Sequence, residues 1–316
     1  MRINPGWWLG GLVTLAACQP QSEAGADPAA SPPTGHFTGT LTAAGRPALR
    51  AALEVRHPRP GHYDAELLVA DAPGLSFVAD TLAFAASTLR LQRPGQPGQT
   101  LTLQQQGDFW RGILAVDSTT YTTLLVRRGP PEPAVYRVRR DELPGLAGPA
   151  LLFSPADESL PGTALALFPT AATAPESPAW ADALARQGYT VLLLPATDTL
   201  PPPALTAAMQ YLRRTPGVDT ARVGAWAAGP RAEQLAHWLA APSAPYRYPA
   251  FLIAQAPPPP GAAARRAWRT LGQRTRVLVL YPPAPPRAAV GAMQAALGRQ
   301  QVRQGSVASL VTQLTD

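Results

Sequence analysis

Cys18 is the only cysteine of the chain and carries its only thiol. A single thiol excludes disulfides within the monomer and leaves no thiolate cluster for zinc or iron–sulfur. Its position points to a modification instead, because Met1-Arg2 and an apolar run over residues 7–17 precede it. This pattern predicts an exported chain with a signal peptide at residues 1–17, and the apolar run is too short to span a bilayer.

The four residues Leu15-Ala16-Ala17-Cys18 resemble the lipobox of bacterial lipoproteins. The resemblance implies that residues 1–17 are removed and that acyl chains such as palmitate attach Cys18 to a membrane. Each buried methylene contributes about 0.8 kcal/mol, so several chains on one residue would anchor firmly. Gln19 favours sorting to the outer membrane, with the protein facing the periplasm or the cell surface. A plain secretory peptide or an uncleaved anchor is the alternative.

The next part of the chain predicts a tether and a β-domain. Residues 18–34 are small, polar and rich in proline, a composition typical of a disordered tether. Over residues 35–128, about eight short segments with alternating polarity are separated by turn signals, which predicts an all-β sandwich or barrel domain. Residues 129–149 are again rich in proline and predict a linker, although Tyr136-Arg137-Val138-Arg139 has the pattern of one further strand.

From residue 150 to 316, short apolar strands alternate with helical segments. The predicted strands cover residues 164–168, 189–194, 221–226, 251–254 and 277–281. The predicted helices cover residues 180–187, 204–214, 232–240 and 290–300. This alternation predicts an α/β domain with a mostly parallel sheet and helices on both faces.

Three segments of this region resemble the dienelactone-hydrolase or esterase branch of the α/β-hydrolases. They are WADALARQGYTVLLLP at 180–195, AAMQYLRRTPGVDTARVGAWAAGPRAEQLAHWLA at 207–240 and RTRVLVLY at 274–281. The resemblance implies an α/β-hydrolase-like fold for residues 150–316. It also implies that the second segment contains the nucleophile strand, the tight turn known as the elbow, and the helix that follows.

The elbow lacks the residues that catalysis needs. In this fold the nucleophile is the serine of G-x-S-x-G, on a sharp strand-to-helix turn. This chain has Ala227-Ala228-Gly229-Pro230-Arg231 at those positions. Gly229 stands at the nucleophile's position without an attacking group, and Pro230 has no N–H to act as the oxyanion donor. Gly229 as N-cap and Pro230 at the first helical position would make an ordinary helix start.

The partners of the nucleophile are missing as well. No carboxylate lies between Glu233 and Asp316, and no histidine follows His237. The loop at residues 169–173, which would supply the other oxyanion donor, is not glycine-rich. The sequence therefore predicts that this domain has no catalytic residues.

A degenerate ligand crevice is still expected at the carboxyl ends of the strands, where ligands bind in open α/β sheets. Its candidate residues are Asp198, Trp226 and Arg231. The simpler interpretations are that Asp198 forms a turn and that Trp226 belongs to the core.

Metals, cofactors and nucleic acids are not expected. His36, His57 and His62 have no ligand spacing and no carboxylate set near them in the sequence. The net charge of +7 comes entirely from arginine, since lysine is absent, and this indicates codon bias more than nucleic-acid binding.

The sequence favours a non-catalytic lipoprotein of the cell envelope with an α/β-hydrolase fold, which binds an unidentified ligand or protein. Two alternatives stay open. One is an active serine esterase with a displaced site, for which Ser154, Ser177 and Ser243 are the available hydroxyls. The other is a purely structural envelope protein.

Overall fold

The computed structural model describes seven stretches of the chain. They are residues 31–79, 81–146, 148–197, 202–241, 249–281, 285–298 and 302–304. The predictions on Cys18, Asp198 and Ser243 fall outside the described residues.

Nine antiparallel strands form the first domain. They are β1 (Gly35–Thr42), β2 (Leu49–Arg59), β3 (His62–Val69), β4 (Phe77–Val78), β5 (Thr81–Ala85), β6 (Thr88–Arg93), β7 (Gln96–Gln106), β8 (Phe109–Val116) and β9 (Thr119–Gly129). They make one sheet in the order β4-β3-β2-β1-β9-β8-β7-β6-β5. The sheet curls around a single core. The prediction of an all-β domain is therefore confirmed, with antiparallel strands, whereas the choice between a sandwich and a barrel is not decided in favour of either. The domain is one curled sheet because β1 pairs with both β2 and β9 and so joins the two halves.

Alternation along the strands separates the core from an outer polar face. On β2, Leu53 and Val55 point into the core and are fully buried. Glu54 and Arg56 alternate with them and point to the outer face, where they are nevertheless buried. Since the pleat places successive side chains on opposite faces, something else must cover this outer face.

Eight strands and five helices form the second domain. The strands are β10 (Tyr136–Asp141), β11 (Ala150–Pro155), β12 (Gly162–Phe168), β13 (Thr190–Leu193), β14 (Val218–Ala228), β15 (Phe251–Gln255), β16 (Arg276–Tyr281) and β17 (Val302–Gln304). The helices are α1 (Ser177–Ala185), α2 (Pro202–Arg214), α3 (Pro230–Ala240), α4 (Ala262–Gly272) and α5 (Arg287–Leu297). The sheet order is β10-β11-β13-β12-β14-β15-β16-β17. The pairs from β13 to β17 are parallel, whereas β10 and β11 run antiparallel to their neighbours, so the sheet is mixed.

Helices cover both faces of this sheet, as predicted. Helices α2 to α5 pack on one face in a core that contains Leu205, Leu235 and Trp268. Helix α1 packs on the other face with Leu184, and Val78 of the first domain joins the same cluster. The first domain therefore lies on the α1 side of the sheet.

The segment predicted as a linker contributes to the second sheet. Strand β10 pairs along its whole length with β11, from Tyr136 opposite Pro155 to Asp141 opposite Ala150. The prolines of this segment lie outside β10, and an edge strand needs an apolar pattern on one face only. Tyr136 supplies it, being 1% exposed.

The helices of the described residues are all too short or too polar to cross a bilayer.

Candidate functional site

The turn between β14 and α3 keeps a tight backbone geometry. Strand β14 ends at Ala228 and α3 begins at Pro230, so Gly229 alone makes the turn, with φ +56° and ψ −135°. Its N–H donates to the carbonyl of Gln255 on the neighbouring strand at 2.8 Å. Glycine adopts this positive φ without the steric penalty that a side chain would meet. The helix starts at Pro230 as the sequence predicts, but the N-cap conformation differs from the usual extended one.

Gly229 and Pro230 of this turn carry neither a nucleophilic side chain nor an oxyanion-stabilising N–H after the nucleophile's position. Gly229 has no side chain, and Pro230 lacks the N–H that follows the nucleophile in α/β-hydrolases. The strand–turn–helix is present, but a nucleophile and one oxyanion donor are not.

The loop after β12 is folded upon itself. The N–H of Thr170 donates to Oγ1 of Thr173 at 2.9 Å. The N–H groups of Thr173 and Ala174 both donate to the carbonyl of Thr170, at 3.1 and 2.9 Å. These N–H groups are already used inside the loop, so they are not directed at a substrate.

The two described crevice candidates are buried. Trp226 is 0% exposed and packs edge-on against Trp180, with ring centroids 4.8 Å apart. Arg231 is 3% exposed, and its guanidinium donates to the backbone carbonyl of Thr197 in the loop after β13. Trp226 is thus a core residue and not a crevice wall, and Arg231 ties the start of α3 to that loop. The third candidate, Asp198, lies outside the described residues.

In the described part of the chain, no serine hydroxyl is hydrogen-bonded to a histidine, so no serine–histidine pair marks a displaced site there. Ser177 is 1% exposed, and its hydroxyl donates at 2.7 Å to the carbonyl of Thr173, four residues earlier in the chain. His237 lies on α3 with its Nε2 3.8 Å from Glu233, and His57 stacks on Tyr63.

His36 has two carboxylates close to it in space, although none lies near it in the sequence. Its Nδ1 is hydrogen-bonded to Oε1 of Glu54, and one ligand atom each of His36, Glu54 and Glu132 lie within 4.8 Å of one another. Spacing along the sequence does not show this proximity, because His36 and Glu54 are brought together as direct partners in the β1–β2 ladder. The other oxygen of Glu54 accepts the N–H of Glu132 at 2.9 Å. Both oxygens of the buried Glu54 carboxylate therefore already accept hydrogen bonds from protein donors. Among the described residues, His36, Glu54 and Glu132 form a group that is close enough together to hold a cation.

The charged side chains of the outer β face meet the second domain in a buried ion network, which we call the domain junction. Glu66, 2% exposed, accepts from Arg56 of β2 and from Arg186 at the end of α1, each at 2.8 Å. Arg186 also donates to Asp182, one helical turn earlier, at 3.1 Å. Buried charges are tolerated when each has an opposite partner and hydrogen bonds.

Tyr136 completes the domain junction from strand β10. Its hydroxyl donates to Asp182 and accepts the N–H of Val78 at 3.3 Å. Burial and the negative charge of Asp182 raise the pKa of Tyr136 well above its usual value, although Arg186 acts in the opposite direction. Burial alone would lower the pKa of Arg186, but Asp182, Tyr136 and Glu66 raise it above its usual value. Tyr136 therefore stays a neutral donor and Arg186 a cation.

Two of the cavities in the described part of the chain bear on the site. A cleft of about 960 Å³ lies between the outer face of β1–β3 and helix α1. The cavity at the carboxyl ends of β12 and β13, beside Pro169 and Pro195, is only about 230 Å³. Ligand pockets usually measure about 300–1,000 Å³ and often lie at domain interfaces, so the cleft is the better candidate.

Comparison with known proteins finds similar solved structures. No protein-family model and no curated protein matches the chain. The solved structures include the esterase domain of a Rhodothermus marinus protein, with 14% identity and a TM-score of 0.43, covering 57% of this chain and 96% of that one. TT1662 from Thermus thermophilus has 13% identity and a TM-score of 0.42, with 57% and 96% covered. An α/β-hydrolase enzyme from a Medee basin deep-sea metagenome library has 11% identity and a TM-score of 0.38, with 54% and 79% covered.

The strand–turn–helix of β14 and α3, within a mixed sheet with helices on both faces, gives the second domain an α/β-hydrolase-like fold. Fold alone assigns no activity, so function has to be argued from the sites.

Proposed function

We propose that the protein is a non-catalytic lipoprotein of the bacterial cell envelope, anchored through Cys18 and working by binding. The α/β-hydrolase-like domain serves as a scaffold, and the binding role belongs to the face on which the two domains meet. The lipobox-like sequence before Cys18 supports the anchor and the export, with the outer membrane as the destination.

The observation that carries the proposal is the elbow. Catalysis of acyl transfer needs a nucleophile, its base and preorganised oxyanion donors together. Gly229 and Pro230 remove the nucleophile and one donor, and the N–H groups of Thr170, Thr173 and Ala174 are engaged within their own loop. Arg231 fills space beside the turn and is bonded to the chain itself.

Hydrolysis is tested on the full chain with a serine-directed fluorophosphonate and with short p-nitrophenyl esters. We expect no covalent labelling and no turnover above the buffer rate. Labelling that is blocked by an ester substrate would show that a serine has been activated elsewhere and would overturn the proposal.

The anchor is tested by expressing the chain in a bacterium fed with a labelled fatty acid. We expect label on the wild-type chain and none on Cys18→Ser, while the matched variant Ser22→Ala keeps it. Label that persists on Cys18→Ser, or wild-type protein without label, would refute lipidation at this residue.

A further inference from the structure

The cleft between the two domains has an apolar lining. Its sheet wall includes Ala52 and Leu68 on the outer face of the β-domain, and its helix wall includes Ala179, Trp180 and Ala183 of α1. These residues lie close to the domain junction but contribute no charge of their own. A lining of this kind favours a ligand with an extended apolar part.

The charged groups at the cleft differ in whether they are neutralised. Arg186 is paired with Glu66 and Asp182. Arg50 is paired with Asp71 at 2.8 Å.

Arg128, on β9, is the exception among them. Its Nε donates to the hydroxyl of Thr38 at 3.1 Å, and within the described residues it has no carboxylate partner. Arg128 is exposed and lines the cleft, so it places one uncompensated positive charge beside an apolar wall.

We propose that this cleft binds a single-chain amphiphile with one anionic head group. The hydrocarbon chain lies between Leu68 and the α1 wall, and the head group, a carboxylate or a phosphate, accepts hydrogen bonds from Arg128. Arginine suits both acceptors because its fork of N–H donors matches their geometry. The cleft volume of about 960 Å³ is within the range of small-molecule sites. This inference rests on the proposed binding function and names the ligand class for it.

The chain-length dependence tests the apolar wall. Calorimetric titration of the full Cys18→Ser chain, free of acyl groups and detergent, uses octanoate, decanoate and laurate below their micelle concentrations. Each added methylene that becomes buried contributes about 0.8 kcal/mol, so we expect Kd to fall about four-fold per methylene. Absence of binding by both laurate and dodecyl phosphate, or a Kd independent of chain length, would overturn the proposal.

The head group tests the role of Arg128. Laurate and dodecyl phosphate are compared to separate the two anion types, and whichever binds identifies the head group. Dodecyltrimethylammonium, with the same chain and a positive charge, is expected not to bind, and equal binding of it would contradict the proposal. Arg128→Gln should weaken the anionic ligand roughly ten-fold or more, as for loss of a charged hydrogen bond. The control Arg127→Gln alters the neighbouring arginine, which donates to the carbonyl of Thr34 instead, and should leave Kd unchanged.

Filling the cleft tests its location. Ala52→Trp fills it from the sheet wall and Ala183→Trp from the helix wall, and each should abolish laurate binding while circular dichroism stays unchanged. If either well-folded variant binds laurate as the wild type does, the site is elsewhere. The fluorophosphonate experiment detects an activated serine and does not depend on ligand binding. If the chain is labelled and also binds the amphiphile, only the non-catalytic function is refuted. If the chain is not labelled and binds neither laurate nor dodecyl phosphate, only this binding site is refuted.

Discussion

The elbow and the domain junction are built from opposite kinds of residue. At the elbow, where a hydrolase would concentrate its reactive groups, the chain has only alanine, glycine and proline before Arg231. At the domain junction it buries Arg56, two carboxylates and a tyrosine hydroxyl, which the partly exposed Arg186 joins, and leaving the buried groups unpaired would carry a large cost. The tight turn after β14 thus consists of backbone and small residues, whereas the buried charges lie where the two domains meet.

The largest effect is expected from breaking the ion network at Glu66. Glu66→Gln removes the carboxylate that the buried Arg56 and the partly exposed Arg186 share. Because Arg56 keeps Asp64 and Arg186 keeps Asp182, we expect a loss of about 3 kcal/mol in the free energy of unfolding, the lower end for a broken buried pair. Urea denaturation followed by circular dichroism measures it. The matched control is Asp71→Asn in the exposed pair with Arg50, where the change should be much smaller. Equal effects in the two variants would mean that burial does not distinguish the pairs.

A smaller loss is expected from Tyr136→Phe. The change removes a donor to Asp182 and an acceptor for the N–H of Val78, which leaves both groups buried and should cost about 1–3 kcal/mol. The control is Tyr63→Phe, because the Tyr63 hydroxyl has no hydrogen-bond partner within the described residues. Denaturation midpoints of the two variants give the difference, and a neutral Tyr136→Phe would show that water replaces the lost hydroxyl.

Introducing a hydroxyl at the elbow should lower stability and produce no catalysis. Gly229→Ser places a side chain at φ +56°, and we expect a loss of about 1–2 kcal/mol with no ester hydrolysis above background. Gly129→Ser is the control, since a Cβ there meets no atom within 4 Å and its φ is not positive. Measurable hydrolysis by Gly229→Ser would show that a base and oxyanion donors still face the turn.

The smallest effect concerns acid stability outside both regions. Hydrogen bonds from Arg50 lower the pKa of the Asp71 carboxyl from 3.8 to about 2. Because the folded-state pKa is the lower one, the pair stabilises the protein above pH 3.8 and loses this contribution as the pH falls towards 2. Asp71→Asn should therefore flatten the pH dependence of stability slightly in that window, and raising the salt concentration should reduce the difference. A steeper dependence in the variant would reverse the assigned sign.

Local pattern was sufficient for most elements of the second domain. The strand at 221–226 and the helix at 232–240 correspond to β14 and α3, and the turn between them begins at the predicted glycine. Helix α4 was not predicted, although Ala264, Ala267, Trp268 and Leu271 form its buried stripe. That stripe was readable, but the proline run before it and the arginines within it obscured the helix.

The domain junction was beyond the reach of the sequence. Glu66 and Arg186 lie 120 positions apart and Tyr136 and Asp182 lie 46 apart, and no local period relates them. The alternating pattern of their strands also predicts that Arg56 and Glu66 face solvent. Alternation identifies the inner face of a strand, but it does not show that another domain covers the outer face. The His36–Glu54 pair needed the β1–β2 register, which the intervening loop does not fix in any recognisable way.

The connection between the two domains is held by hydrogen bonds at Glu132 and at Tyr136. Residues 130–135 separate β9 from β10, and within them Glu132 binds Glu54 through its N–H and Arg56 through its carbonyl. Tyr136 then bonds directly to Val78 across the boundary. Residues 130–135 are therefore not a free hinge between the two domains. Heating should unfold both domains together in a single calorimetric endotherm, and a force applied to one domain should be transmitted directly to the other.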